Sequence, residues 1–296
     1  MQGVTAHQPE IPGLAAMRRR LGAELLARVA GEQGPAARRR IHETPGPRWF
    51  DPTRPIRTVH SDASMFIGGL RALLLQSLHP LAMAAVAGHS GYRGDPWGRL
   101  QRTSTFLAVT TFGTAEDAQH AVDHVRAVHQ QIRGVTAGGE PYHAADPHLL
   151  GWVHAAEVDS FLRAHRAYGA HPLDDAGYDG YLADAATVAT ALGVLDPPRT
   201  QAELAARLQA YRPELHATPE ALDAARFILF HPPVPLVALP PYTALAANAV
   251  TLLPTWARRQ LGLPRLPLLE HTAIPLAGHA LTATIRWAMT PPPPPP

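Results

Sequence analysis

The chain has 296 residues, 46% of them hydrophobic and 17% charged, which is enough apolar side chain for a sizeable core and too little charge for a disordered protein. Its 26 basic residues are all arginines and face 24 acids, for a net charge of +2. The calculated pI of 9.2 therefore reflects arginines that never titrate rather than a basic stripe, and no nucleic-acid partner is expected. Cysteine is absent, which excludes disulfides, cysteine nucleophiles, iron–sulfur clusters and thiolate-held metal, and leaves His, Asp, Glu or Tyr to hold any ion.

From Met1 to Leu14 the chain carries Glu10 and two prolines with no charged-then-apolar run, so no secretory signal is visible and a cytoplasmic location is expected. A first helix is predicted over Leu14–Ala30, and the Pro- and Arg-rich stretch from Gly34 to Val59 reads as extended. The next helix spans Asp62–Gly88, with His79-Pro80 inside a continuous apolar pattern. Pro80 removes the bond to the carbonyl of Gln76 and should bend that helix. Helices follow over Pro96–Thr111, Ala115–Arg133, Pro147–Tyr168, Asp175–Leu192, Gln201–Tyr211, Pro219–Phe230, Pro241–Leu261 and Thr272–Met289. Asp95-Pro96, Asp146-Pro147 and Thr218-Pro219 each place an N-cap oxygen before a proline at the first helical position, and Thr114 with Asp117 resembles a capping box.

No sustained apolar/polar alternation and no Asn-Gly hairpin signal interrupts this series. The fold class is therefore all-α, a single large helical domain. Residues 1–61 form a lead-in with one helix, 62–264 the main helical body, 265–290 a C-terminal helix and 291–296 a disordered polyproline tail. The most apolar windows, Met65–Val86 and Val234–Leu253, are broken by Arg71, His79-Pro80, prolines and Asn248. No membrane span is expected, and at most peripheral membrane contact.

Polar side chains on apolar helix faces are the candidate chemistry. His129 shares its face with Val122, Val125 and Ile132, which suits either a core imidazole satisfied by a carbonyl or a metal ligand. Arg99, Arg102 and Thr103 stand at i, i+3 and i+4, and Thr103 shares its face with Leu100, Phe106, Leu107 and Thr110. A guanidinium and a hydroxyl there suit a buried anion or a bound oxygen species, whereas an arginine near a helix start also snorkels to solvent. His79, beside the expected bend, is a pocket-maker or a structural kink. His120 and His124, four apart on another face, form a weak surface zinc pair. The sequence Gly88-His89-Ser90-Gly91-Tyr92 misses the nucleophile elbow at its fifth residue, and no HExxH, P-loop or dinucleotide fingerprint occurs.

The run LHPLAMAAVAGHSGYRGDPWGRLQRTSTFLAVTTFG, followed by HVRAVHQQIRG, YHAADPHLLGWVHAAEV and LLPTWARRQLGLP, resembles the catalytic domain shared by the latex-clearing rubber oxygenases and the fungal oxygenase MpaB, over roughly Asp62 to Pro264. The resemblance implies an all-helical fold holding haem b and using dioxygen to oxidise or cleave a carbon–carbon double bond. His129 matches the family's proximal iron ligand, and Arg99 and Thr103 match polar residues near the haem. Arg102 stands where the rubber-cleaving branch commonly has a distal lysine, and a guanidinium does not coordinate iron. A buried carboxylate base is not evident upstream of Arg99, where only Asp62 and Asp95 stand as candidates.

Together these readings predict a haem-b-dependent oxygenase acting on a small apolar unsaturated substrate, with dioxygen and an electron donor of unspecified kind as partners. His129 is expected to be the iron ligand, as the resemblance implies. His79, Arg99 and Thr103 are expected to bind the cofactor, and Arg99, Arg102 and Thr103 to act on bound oxygen. The alternatives are a non-catalytic helical protein binding haem or a lipid-like ligand, and a metal hydrolase if His79, His89 and His129 converge with a carboxylate.

Overall fold

Capping chemistry sets most of the helix boundaries in the computed structural model, which describes residues 12–290 apart from 32, 90 and 92. Asp95 accepts from the Gly98 amide, Asp146 from His148, Thr114 from Asp117 and Thr218 from Ala221, each worth about 1 kcal/mol relative to alanine. Four helices therefore start where the sequence places them: α6 (Pro96–Phe112), α7 (Ala115–Gln131), α8 (Pro147–Tyr168) and α11 (Pro219–Phe230). Helices α9 (Asp175–Leu192) and α10 (Gln201–Tyr211) also match their predicted spans. Among the described residues the fold is all-α, predominantly helical with two short strands.

The departures have local causes. The stretch expected to be extended carries α2 (Gly34–Glu43) and α3 (Pro55–Ser61), after α1 (Pro12–Ala30). Arg48 holds the end of α2, donating to the carbonyls of Ile41 at 2.9 Å and Thr44 at 2.9 Å and also to that of Phe112, which satisfies helix-end acceptors that otherwise need water. The helix expected over Asp62–Gly88 is two: α4 (Met65–Gln76) and α5 (Pro80–His89), related by a bend of 108°. Beyond α7 the chain forms an antiparallel hairpin, β1 (Arg133–Val135) with β2 (Pro141–His143), in place of a last helical turn. The C-terminal part holds α12 (Leu239–Thr251), α13 (Thr255–Gln260), α14 (Pro267–Glu270) and α15 (Ala273–Met289). The polyproline tail lies outside the described residues. No single helix is long and apolar enough to cross a membrane among the described residues, and the one pair that reaches that length together is α4 with α5, across the bend.

Two helix pairs organise the centre. Helix α4 packs along α8, and Gly68 permits the approach: a Cβ there would lie 2.7 Å from the Phe161 ring and 3.2 Å from its Cα. The seam is pinned by Arg71, fully buried, which donates to Asp159 at 2.6 Å, to Ser160 Oγ at 2.6 Å and to the Leu252 carbonyl at 2.9 Å. An unpaired guanidinium at that depth would cost several kcal/mol, so the pairing is what permits its burial. Helices α6 and α7 form the second pair, packed on each other and on α1, α3 and α9. Neither packs extensively on α4 or α8. The two pairs are joined through α3 and α9 on one side and through α5 and the hairpin on the other.

Candidate functional site

On α6, Gln101 and Ser104 donate to the carbonyls of Arg28 and Val29, which turns their face toward α1. Arg99, Thr103, Phe106 and Thr110 recur on the opposite face, away from α1. Arg99 is half-buried. Arg102 and Thr103 are exposed: Arg102 reaches back to the capping Asp95 at 3.2 Å, and the Thr103 hydroxyl donates to the Arg99 carbonyl at 3.1 Å. The apolar pattern correctly grouped these residues on one face, and that face is left uncovered at its N-terminal end.

His129 stands in the last turn of α7, half-buried. Among the described residues no group hydrogen-bonds its ring nitrogens. Burial and the neighbouring His143 lower its pKa, so the ring is neutral with a lone pair to offer. The buried Nε2 atoms of His143 and His154 also lack a hydrogen-bond partner, and burial, with Arg207 nearby, pushes His154 down to about 4.

Helix α8 presents two functional faces. Leu150, His154, Glu157 and Phe161 recur along one, and His148, Trp152, Ala155 and Asp159 along the other. Glu157 meets neither cation nor donor among the described residues, and burial alone raises its carboxyl to about 7. Its surface is nonetheless only partly covered. Beside it Tyr181 is fully buried, its pKa driven far upward by burial and by Glu157. The Tyr181 hydroxyl lies 3.4 Å from His60 Nε2, and His60 Nδ1 lies 2.8 Å from Thr111 Oγ1. Burial holds His60 down at about 3, so this polar line from α9 through α3 to α6 stays neutral.

Sequence reasoning did not single out Glu157, His154, His143 or His60. The available signal was His154 and Glu157 three apart within an otherwise apolar stretch of α8. The α4 surface beside this face is open as well: a Cβ at Gly69 would meet nothing within 4 Å, and Leu73 is 36% exposed.

His79 lies elsewhere. It is 3% exposed, and its ring packs against His148, Trp152 and Tyr211, on the α8 face opposite Glu157. The Gln76 carbonyl beside the bend accepts from the Trp152 indole at 3.1 Å. His79, His89 and His129 therefore do not form the three-histidine group that a hydrolase would require: His89 lies 3.2 Å from the Tyr142 hydroxyl on the hairpin.

The residue types present are ones a haem can use. His129 is a neutral imidazole without a partner, Arg99 is a cation on the uncovered α6 face, and Leu73, Leu100 and Val128 leave apolar surface exposed. An axial ligand, a counter-charge for carboxylates and an apolar wall are the three things such a group needs from protein.

Residues 56–287 match the family described as ER-bound oxygenase mpaB/B′/rubber oxygenase, catalytic domain. Over 100 residues the chain is 37% identical to an uncharacterized protein of Mycobacterium bovis and to one of Mycobacterium tuberculosis. The matched stretch is 33% of this chain and 38% of each relative, so the chain spans well under half the length of these two proteins. No solved structure matches the chain.

Proposed function

The chain belongs to the family of the mpaB and rubber oxygenase catalytic domain, and from that premise we propose that it is a haem-b-dependent oxygenase that oxidises an apolar unsaturated small molecule, with cleavage of a carbon–carbon double bond as the preferred outcome. The observation that carries the reading is His129: a half-buried imidazole without a hydrogen-bond partner, inside the matched region.

Haem b, when bound, supplies an iron centre that activates dioxygen toward alkenes. His129 would hold the iron through one ring nitrogen, for which its neutral state is required. Arg99 would balance a propionate. The Thr103 hydroxyl, bonded only to its own helix carbonyl, keeps an acceptor free and can turn to donate to an oxygen species. Arg102, already paired with Asp95, would act at the rim of the site. Glu157, with a carboxyl near 7, can hold or release a proton at neutral pH, as a general acid–base group must. The exposed apolar surfaces of α4 and α6 would seat the apolar substrate.

The test is incubation of haem-loaded protein with isoprenoid and other alkene panels under isotope-labelled dioxygen, with mass spectrometry of the products. Labelled carbonyl products are expected. Haem-loaded protein that reacts with none of the panel would make it a haem carrier, and products without label would exclude dioxygen as the oxidant.

A further inference from the structure

On the far side of α8 from Glu157, three chain segments bring two imidazoles and a carboxylate together: His79 at the bend between α4 and α5, His148 in the first turn of α8, and Glu214 in the turn after α10. We propose that His79, His148 and Glu214 bind a divalent transition-metal ion, and that Zn2+ is the ion the set suits.

The ligand atoms of the three residues all lie within 4.8 Å of one another. Glu214 Oε2 is 2.8 Å from His148 Nε2 and 3.4 Å from His79 Nε2. A tetrahedral zinc with bonds of about 2.0–2.1 Å spaces its ligands roughly 3.3 Å apart, so the His79 distance already fits and the His148 distance opens by about half an ångström.

His79 provides the independent indication. Its side chain is 97% buried, and among the described residues Nδ1 has no hydrogen-bond partner while Nε2 meets only Glu214, at 3.4 Å and outside good hydrogen-bond geometry. A buried imidazole so poorly satisfied is costly, and an ion at Nε2 removes part of that cost. The backbone around it is already fixed. The His216 amide donates to the Leu78 carbonyl at 2.9 Å, the Tyr211 hydroxyl to the His148 carbonyl at 2.8 Å, and the His148 amide to Asp146 at 2.8 Å. The ligands are thus placed before any ion arrives.

His148 and Glu214 are roughly half exposed, with side-chain exposures of 55% and 42%. Metal can therefore enter from solvent, and the fourth position is left to water. Two imidazoles, one carboxylate and a water form a borderline-soft set that favours zinc over magnesium or calcium. Such an ion would tie the α4–α5 bend to the starts of α8 and of the segment after α10.

The test uses the full chain, stripped with chelator, dialysed against micromolar Zn2+ and analysed for zinc and iron together. One zinc per chain is expected, independent of iron content, with a rise in melting temperature on zinc addition. His148→Ala and Glu214→Gln change exposed side chains and leave the core intact, which circular dichroism would verify. Each should weaken zinc binding by roughly 100-fold, the upper end of what even outer partners of a metal contribute. His120→Ala, on the surface pair of α7, should leave zinc binding unchanged. Absence of zinc from the wild-type chain would overturn the assignment, and so would variants at 148 and 214 that keep full affinity or a zinc lost only with His120. Because iron is read separately, loss of haem or of oxygenase activity would not be confused with failure at this site.

Discussion

Replacing Glu157 by glutamine removes a desolvated carboxyl from α8 while nearly preserving shape. In the unfolded chain its carboxyl has the ordinary value of 4.5, and in the folded protein burial raises it to about 7. The folded state therefore binds this proton more tightly. Below pH 4.5 both states are protonated and Glu157 costs nothing, as pH climbs from 4.5 to 7 stability is lost, and above 7 the loss is complete. A rise from 4.5 to about 7, at ~1.4 kcal/mol for each pH unit, corresponds to about 3 kcal/mol. Because part of the side chain remains accessible, solvent screening reduces this to about 2–3 kcal/mol. Denaturant unfolding of wild type and Glu157→Gln at pH 5, 6, 7 and 8 measures it. Taking the difference between the two proteins cancels the many histidines that titrate in the same range. The variant should gain about 2–3 kcal/mol relative to wild type between pH 5 and 8. A difference that stays flat with pH, or moves the other way, would show that Glu157 is solvated or paired, and would remove it as the proton-holding group of the proposed reaction.

Three further outcomes are expected. His129→Ala should abolish or greatly weaken haem retention, read from the Soret band and haem stoichiometry, and a wild-type spectrum in that variant would exclude His129 as the iron ligand. Thr103→Val keeps the shape of the side chain and loses the hydroxyl, so turnover should fall more than haem content; unchanged steady-state oxidation would take Thr103 out of the mechanism. Gly68→Ala places a methyl 2.7 Å from the Phe161 ring and 3.2 Å from its Cα, an overpacked contact between α4 and α8 that should lower stability by about 1–3 kcal/mol in chemical denaturation.

The helices were legible because their signals are local. An N-cap oxygen and a following proline act on amides within one turn, so Asp95, Thr114, Asp146 and Thr218 mark helix starts irrespective of tertiary context. Proline at position 80 likewise announced a bend, but not its size. Whether the chain kinks or breaks depends on what donates to the freed Gln76 carbonyl, and the Trp152 indole that does so comes from α8, 76 residues on. The two helices hidden between Gly34 and Val59 show the same limit, since Arg48 stabilises the end of α2 partly through the Phe112 carbonyl of α6.

For the site, periodicity identifies which residues share a helix face, not what lies opposite that face. The pattern grouped Arg99, Thr103 and Phe106 on one face, and it gave no hint that the N-terminal end of that face, at Leu100 and Thr103, stays exposed. On α8 the same rule reads in both directions. Glu157 falls among apolar neighbours, where a lone carboxylate looks like an exposed position on an imperfect helix. Its chemical importance comes from a property no wheel encodes, the absence of any cation or donor near it in three dimensions. His79 makes the complementary case. The sequence reading attached it to the cofactor because it stands beside the expected bend, and the 108° break places its ring against His148, Trp152 and Tyr211. A residue's partners are set by the turn that carries it, and at His79 that turn delivers an imidazole to a second carboxylate, Glu214, on the far side of the helix that carries Glu157.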